Sequence, residues 1–207
     1  MQESRLYPIV AKFVKHKLGC FYVRDKPTVT THGAVDVVGL RQSPGKYGGS
    51  AEVIAVEVKD TTSRLLNAAG QAVGYSVMAD RCYLAIRGIK VGDTERELVA
   101  QLNVGLIWIG SHGKCEILLT SPQYQPLRAQ RLTLIRKLGF VECALCRTLR
   151  LRNEMMKATK NALKVAARDG QGFRYLLTVD HGVGKNAAER RYVCRDCVQV
   201  LASSTPV

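Results

Sequence analysis

The run Val53-Ile54-Ala55-Val56-Glu57-Val58-Lys59 restricts this chain more than any other segment. An apolar, β-branched stretch of this kind reads as a strand buried inside a sheet. Glu57 and Lys59 are two residues apart within it and so project from the same side. Two charges facing one way from a buried strand cost free energy unless they are paired or put to chemical use. Upstream, Asp36 has a similar setting in Gly33-Ala34-Val35-Asp36-Val37-Val38-Gly39-Leu40. Downstream, Gln71 and Tyr75 are four apart in a helical pattern and share a face.

The rest of the chain alternates strand and helix patterns around this stretch. An amphipathic helix is predicted over Glu3–Leu18, with Leu6, Ile9, Val10, Phe13 and Val14 on one side. Short strands follow at Cys20–Arg24 and Gly33–Leu40, the second joined to Val53–Lys59 by a glycine-rich turn as a long-looped hairpin. A helix over about Thr62–Ala79 leads to a strand at Cys82–Arg87. A polar helix at Asp93–Asn103 precedes strands at Val104–Ile109 and Cys115–Leu119. This order predicts an α/β fold, a central mixed sheet flanked by helices. The texture turns polar and basic after Ser121-Pro122, which predicts one domain over 1–122 and a small α+β module over 123–207. A connecting helix is expected at about Pro126–Lys137.

Charge separates the two halves further. Residues 1–120 carry 15 Lys and Arg against 11 Asp and Glu, whereas residues 121–207 carry 16 against 6. The net charge of +14 calls for a polyanionic partner, and nucleic acid suits it better than a membrane, because no aromatic amphipathic anchor is present. DNA is the expected partner, with RNA as the alternative. No membrane-spanning run and no leader pattern is read, so a cytoplasmic location is expected.

Hydrolysis of a phosphodiester needs a metal that neutralises the phosphate and lowers the pKa of the attacking water. Magnesium, or manganese in its place, takes hard oxygen ligands, keeps several waters and is held by one or two carboxylates. Asp36 and Glu57 can supply these, with the carbonyl of Val58 as a third ligand. Lys59 would then orient the water or stabilise developing negative charge. Asp36 followed by Glu57-x-Lys59, with strands around them and a helix after, resembles the PD-(D/E)XK nuclease superfamily. Gln71-x-x-x-Tyr75 resembles the additional helical motif of its RecB-like and Holliday-resolvase-like branch. Glu3, early in the first helix, matches an acidic residue that many members add to the metal site. The similarity spans about residues 1–110 and departs from the family motif at Val35, where proline is usual. It implies a restriction-endonuclease-like core and metal-dependent DNA cleavage, with Gln71 and Tyr75 positioning substrate or water. It does not imply a particular DNA structure. Enzymes that cut both strands often pair two sites by symmetry, which leaves room for a homodimer. A nucleic-acid-binding adaptor that has lost catalysis is the alternative.

Seven cysteines without a secretion signal suggest metal ligands or buried thiols. Cys143-Ala-Leu-Cys146 and Cys194-Arg-Asp-Cys197 have zinc-knuckle spacing and together predict a closed four-thiolate zinc site. His181 is a loop histidine that could replace one ligand, and a redox role for the two pairs is the rival reading. Cys20, Cys82 and Cys115 fit small buried hydrophobes. Between the pairs, a long helix is predicted over Arg150–Arg168, with Leu151, Met155, Ala158, Ala162 and Val165 on its apolar side. Arg150, Lys157, Lys160, Lys164 and Arg168 would then fall within an arc of about 80°. Arg190 and Arg191 lie beside Tyr192, as Arg174 lies between Phe173 and Tyr175. These cations are candidate phosphate contacts and the aromatics candidate base-stacking groups.

Overall fold

The structure is a computed structural model that describes residues 3–30, 33–43, 50–63, 65–88, 91–143, 146–157, 192–197 and 199. It divides into a first unit, Met1–Ser43 with Ala51–Leu138, and a second unit, Pro44–Ser50 with Gly139–Val207.

The first unit is α/β. After a 3-10 turn at Glu3–Arg5, α1 spans Tyr7–Lys17. Strands β1 (Tyr22–Arg24), β2 (Thr28–Thr30), β3 (Gly33–Val35), β4 (Val37–Ser43) and β5 (Ser50–Lys59) follow. Helix α2 (Leu65–Gly74), β6 (Arg81–Arg87), α3 (Asp93–Gln101), β7 (Gly105–Ile109), β8 (Cys115–Leu119) and α4 (Arg128–Lys137) complete it. Six strands form one mixed sheet in the order β1-β4-β5-β6-β7-β8. Strands β5, β6 and β7 run parallel, β8 is antiparallel to β7, and β1 is antiparallel to β4. The alternation of β5 explains why both sides of the sheet are covered. Ile54, Val56 and Val58 pack with Val10 and Val14 of α1. On the other side, Leu84 and Ile86 of β6 pack with Ala68, Ala69 and Ala72 of α2 and Val99 of α3.

One glycine sets how closely α1 lies on the sheet. A Cβ at Gly39 would stand 2.7 Å from Cys20 Sγ and 2.8 Å from a methyl of Val14, so no larger residue fits between α1 and β4.

The predicted strand Gly33–Leu40 is broken in two. The chain bends at Asp36, so that Gly33–Val35 pairs with β2 in a separate hairpin and Val37 onward joins the sheet. The predicted helix to Ala79 ends at Gly74, and Tyr75–Val77 continue as a 3-10 turn. Helix α4 falls with the first unit rather than with the basic module, because it buries Leu134 and Ile135 there and Leu127 N–H donates to Val77 O at 3.0 Å.

A second charge cluster stitches the amino ends of the parallel strands. Glu52 accepts from Arg41 and lies 3.5 Å from Arg81 Nε. Asp80 Oδ2 accepts from Val53 N–H at 2.6 Å and from Arg131 Nε at 2.9 Å. These carboxylates are 6% and 8% exposed, so removing one strands buried donors. Breaking a buried ion pair from one side costs about 3–5 kcal/mol. Asp80→Ala is therefore expected to lower the urea midpoint steeply with little change in slope, a test of this brace by equilibrium unfolding.

In the second unit, β9 (Phe140–Glu142) pairs antiparallel with β10 (Leu149–Leu151). After a 3-10 turn at Arg152–Glu154, β11 (Met155–Lys157) pairs antiparallel with β12 (Tyr192–Cys194). The predicted helix from Arg150 is thus corrected over residues 150–157, where the end of β10, a 3-10 turn and β11 follow one another. Leu151 and Met155 have helical spacing, but both are taken up by strand pairing, and tertiary partners override a period this short. Ala158, Lys160, Ala162, Lys164, Val165, Arg168, Phe173, Arg174, Tyr175, His181, Arg190 and Arg191 lie outside the described residues.

Candidate functional site

The bend at Asp36 and the carboxyl end of β5 bring the predicted carboxylates together. In open α/β sheets this end of the parallel strands is where ligands bind. Asp36 is held from two sides: Tyr7 OH donates to Oδ1 at 3.0 Å and Val58 N–H donates to Oδ2 at 2.9 Å. Glu57, only 4% exposed, has Lys59 Nζ at 2.8 Å from Oε1 and accepts the Tyr75 hydroxyl on Oε2. Tyr75 OH also lies 2.7 Å from the carbonyl of Ala34, at the end of the hairpin. Lys59 Nζ reaches Glu3 Oε1 at 2.9 Å, so the 3-10 turn delivers its carboxylate to the same cluster. Glu3, Asp36, Glu57, Lys59 and Tyr75 therefore meet, although Glu3 and Tyr75 are 72 positions apart in the sequence. Gln71 is exposed on α2, one turn before Tyr75, and no hydrogen bond joins it to the cluster among the described residues.

The electrostatics give each group a definite form. Burial pushes the Asp36 carboxyl up to about 6; the neighbouring Glu57 charge adds to this, while the Val58 amide, Tyr7 and Lys59 oppose it. Burial alone would depress Lys59, but the hydrogen bonds that it donates to Glu57 and Glu3 outweigh this and hold the ammonium above its usual range. A lysine held so firmly protonated cannot accept a proton from water near neutral pH, which leaves charge stabilisation and orientation as its chemistry. Burial and the Glu57 carboxylate raise Tyr75, and burial with Asp36 raises Tyr7, so both remain neutral hydrogen-bond donors. Tyr7 is the residue that sequence reasoning missed. No local signal marks it, since it is an ordinary tyrosine at the start of an amphipathic helix until the position of Asp36 is known.

These oxygens suit a hard cation of the magnesium kind. Among the described residues each carboxylate oxygen of Asp36 and Glu57 is engaged once, and an ionised carboxylate has about four acceptor positions, so ligand capacity remains. Glu3, Asp36 and Glu57 do not converge into a closed cage; the Lys59 ammonium stands between Glu3 and Glu57. Magnesium needs no such cage when waters and phosphate complete its octahedron.

The cysteine cluster in the second unit is a different kind of site. The sulfurs of Cys143, Cys146, Cys194 and Cys197 all lie within 4.8 Å of one another. Cys146 and Cys194 Sγ are 3.7 Å apart. Tetrahedral zinc with 2.3 Å bonds to sulfur requires about 3.8 Å between ligands, so the spacing matches. Two secondary elements supply the geometry: Cys143 follows β9, and Cys194 ends β12 and donates its N–H to Cys143 Sγ at 3.4 Å. Burial would raise the Cys146 thiol, but hydrogen bonds from Thr148, Cys143 and Cys197 bring it down to about 7, close to the thiolate form that a metal takes. The four cysteines could hold a metal such as zinc, with every position filled by sulfur and none open for catalysis.

Of the predicted phosphate contacts, Arg150 is exposed on β10 and faces Asp196 Oδ2 at 3.5 Å. The pocket around it is lined by Arg150, Asn153, Glu154, Cys194, Arg195 and Asp196. With two cations and two anions it is balanced in charge, so it lends no particular support to a phosphate there. Among the described residues no helix is long and apolar enough to cross a membrane. No family model, curated protein or solved structure matches the chain.

Proposed function

We propose that this protein is a metal-dependent nuclease of the restriction-endonuclease-like kind, cleaving DNA with magnesium or manganese. The observation that carries the reading is the meeting of Asp36, Glu57 and Lys59 at the carboxyl end of β5, with Glu3 and Tyr75 attached. Asp36, Glu57 and the Val58 carbonyl would hold the cation, which supplies a lowered water pKa and neutralises the phosphate. Lys59 would stabilise negative charge as water attacks phosphorus and the leaving oxygen departs. Tyr75 fixes the Glu57 carboxylate, and Gln71 is free to reach substrate from α2. The net charge of +14 favours a nucleic-acid substrate, RNA included, and the second unit would be a zinc-stabilised binding module.

The test separates binding of the cation from chemistry. Manganese binding, followed by electron paramagnetic resonance, is expected to be lost in Asp36→Asn and kept in Lys59→Met. Both variants are expected to lose DNA cleavage by two or more powers of ten, since one removed electrostatic stabiliser costs about that much. Manganese binding by Asp36→Asn as tight as by the native chain would remove Asp36 from the metal site.

A further inference from the structure

Strands β2 and β3 are not needed by the central sheet. They pair only with each other among the described residues, in the register Thr28↔Val35, Val29↔Ala34, Thr30↔Gly33. Thr28 and Val35 are buried, so one side of the hairpin faces the protein. The other side presents Val29, 68% exposed, with exposed Ala34 directly opposite. A hairpin side that faced only water would normally be polar.

This apolar pair is fixed from both strands. Tyr75 OH donates to Ala34 O at 2.7 Å, and Lys137 Nζ donates to Val29 O at 2.6 Å. The first tie is shared with Glu57, so the platform and the carboxylate cluster are positioned by the same hydroxyl. Ala34 precedes Asp36 by two residues, a span of about 7 Å in extended chain. The cation at the edge of the platform, Lys137, and exposed Lys26 before β2 suit a partner with phosphates beside flat apolar rings.

We infer that the Val29–Ala34 face receives a base of the nucleic-acid strand, next to the bond positioned at Asp36 and Glu57. The inference rests on the nuclease reading and adds a recognition surface to it. An apolar side chain against a base face tolerates any sequence, since every base has one. Lys137 would meet the neighbouring phosphate while remaining bonded to the Val29 carbonyl.

The experiment uses the full chain with a single-stranded DNA oligonucleotide carrying one 2-aminopurine. Binding is read by anisotropy and 2-aminopurine fluorescence with calcium in place of magnesium. Hydrolysis of bis(p-nitrophenyl) phosphate with manganese serves as a diester without a base. Val29→Ser is expected to weaken binding about five-fold or more and to abolish the fluorescence change, while Val29→Phe tightens binding. Both variants should hydrolyse the small diester at the native rate, which also shows that they are folded. Native affinity in both variants would overturn the inference. So would a native dimer that Val29→Ser dissociates in sedimentation, because a second copy would then cover this face. A native chain that hydrolyses neither DNA nor the small diester fails the nuclease reading alone, and the binding measurements still decide the hairpin.

Discussion

A Cys194→Ser chain is expected to hold no zinc and to lose the fold of its second unit, whereas the native chain is expected to hold one zinc per molecule. The reason is the small amount of structure that the described part of this unit has without the metal. Its apolar cluster consists of Val141, Cys143, Met155, Tyr192, Val193 and Cys194, with Cys146 and Cys197 against it, so half of its members are the cysteines themselves. Two short strand pairs with so little apolar surface do not stand alone in water. Zinc binding to four-ligand peptides contributes about 10–16 kcal/mol at neutral pH, far more than such a cluster. Serine keeps the size of the side chain but removes the soft thiolate. Elemental analysis gives the stoichiometry, and limited trypsin digestion reads the fold. Cleavage should concentrate beyond Gly139 and leave a fragment that ends near Leu138. A zinc-free native chain whose second unit resists trypsin would mean that the thiols are only buried hydrophobes.

Asp36→Asn is expected to raise the melting temperature of the metal-free protein at pH 7.5 while abolishing its response to magnesium. Asp36 has its folded pKa raised from 3.8 to about 6, burial being the main cause. Between these values the folded state binds more protons than the unfolded state, so stability falls as pH rises. The favourable contribution is complete below about pH 4 and lost above about pH 6. Asparagine carries no charge to desolvate. Its carbonyl can still accept from Val58 N–H, and its amide can donate to the Tyr7 oxygen. The gain in melting temperature should therefore shrink as the pH approaches 4, where native Asp36 is protonated as well. Magnesium would bind the ionised carboxylate, so the stabilisation expected from it should fade as the pH drops below about 6. A lower melting temperature for Asp36→Asn at pH 7.5 would show that the Asp36 charge stabilises the apo fold instead.

Much of the first unit was legible because its strands and helices are long enough to declare their periods. Strands β5, β6 and β7 are near-continuous apolar runs, as parallel strands covered on both sides must be. The break at Asp36 was not legible. Gly33–Leu40 has no proline or polar cluster to mark it, and the bend follows from pairing with β2, a three-residue strand too short to announce itself. Glu57, Lys59 and Asp36 could be picked out because each is a charge amid apolar neighbours. Tyr7 could not, because a tyrosine on an amphipathic helix is ordinary until its partner's position is known. The same locality explains the misread segment at 150–157: its spacing fits a helix, but strand pairs with residues 140–142 and 192–194 decide its form. The cysteine pairs survived a separation of 47 residues because a metal ligand's chemistry does not depend on what lies between.

The central claim is that the cluster at the end of β5 cuts phosphodiesters with a divalent cation. Plasmid cleavage by the native chain and by Glu57→Ala, each with magnesium and with excess chelator, tests it most directly. The account predicts cleavage only by the native chain with magnesium, reduced by about three powers of ten or more in Glu57→Ala. Cleavage by Glu57→Ala at the native rate, or DNA binding by the native chain with no cleavage under any divalent cation, would contradict it.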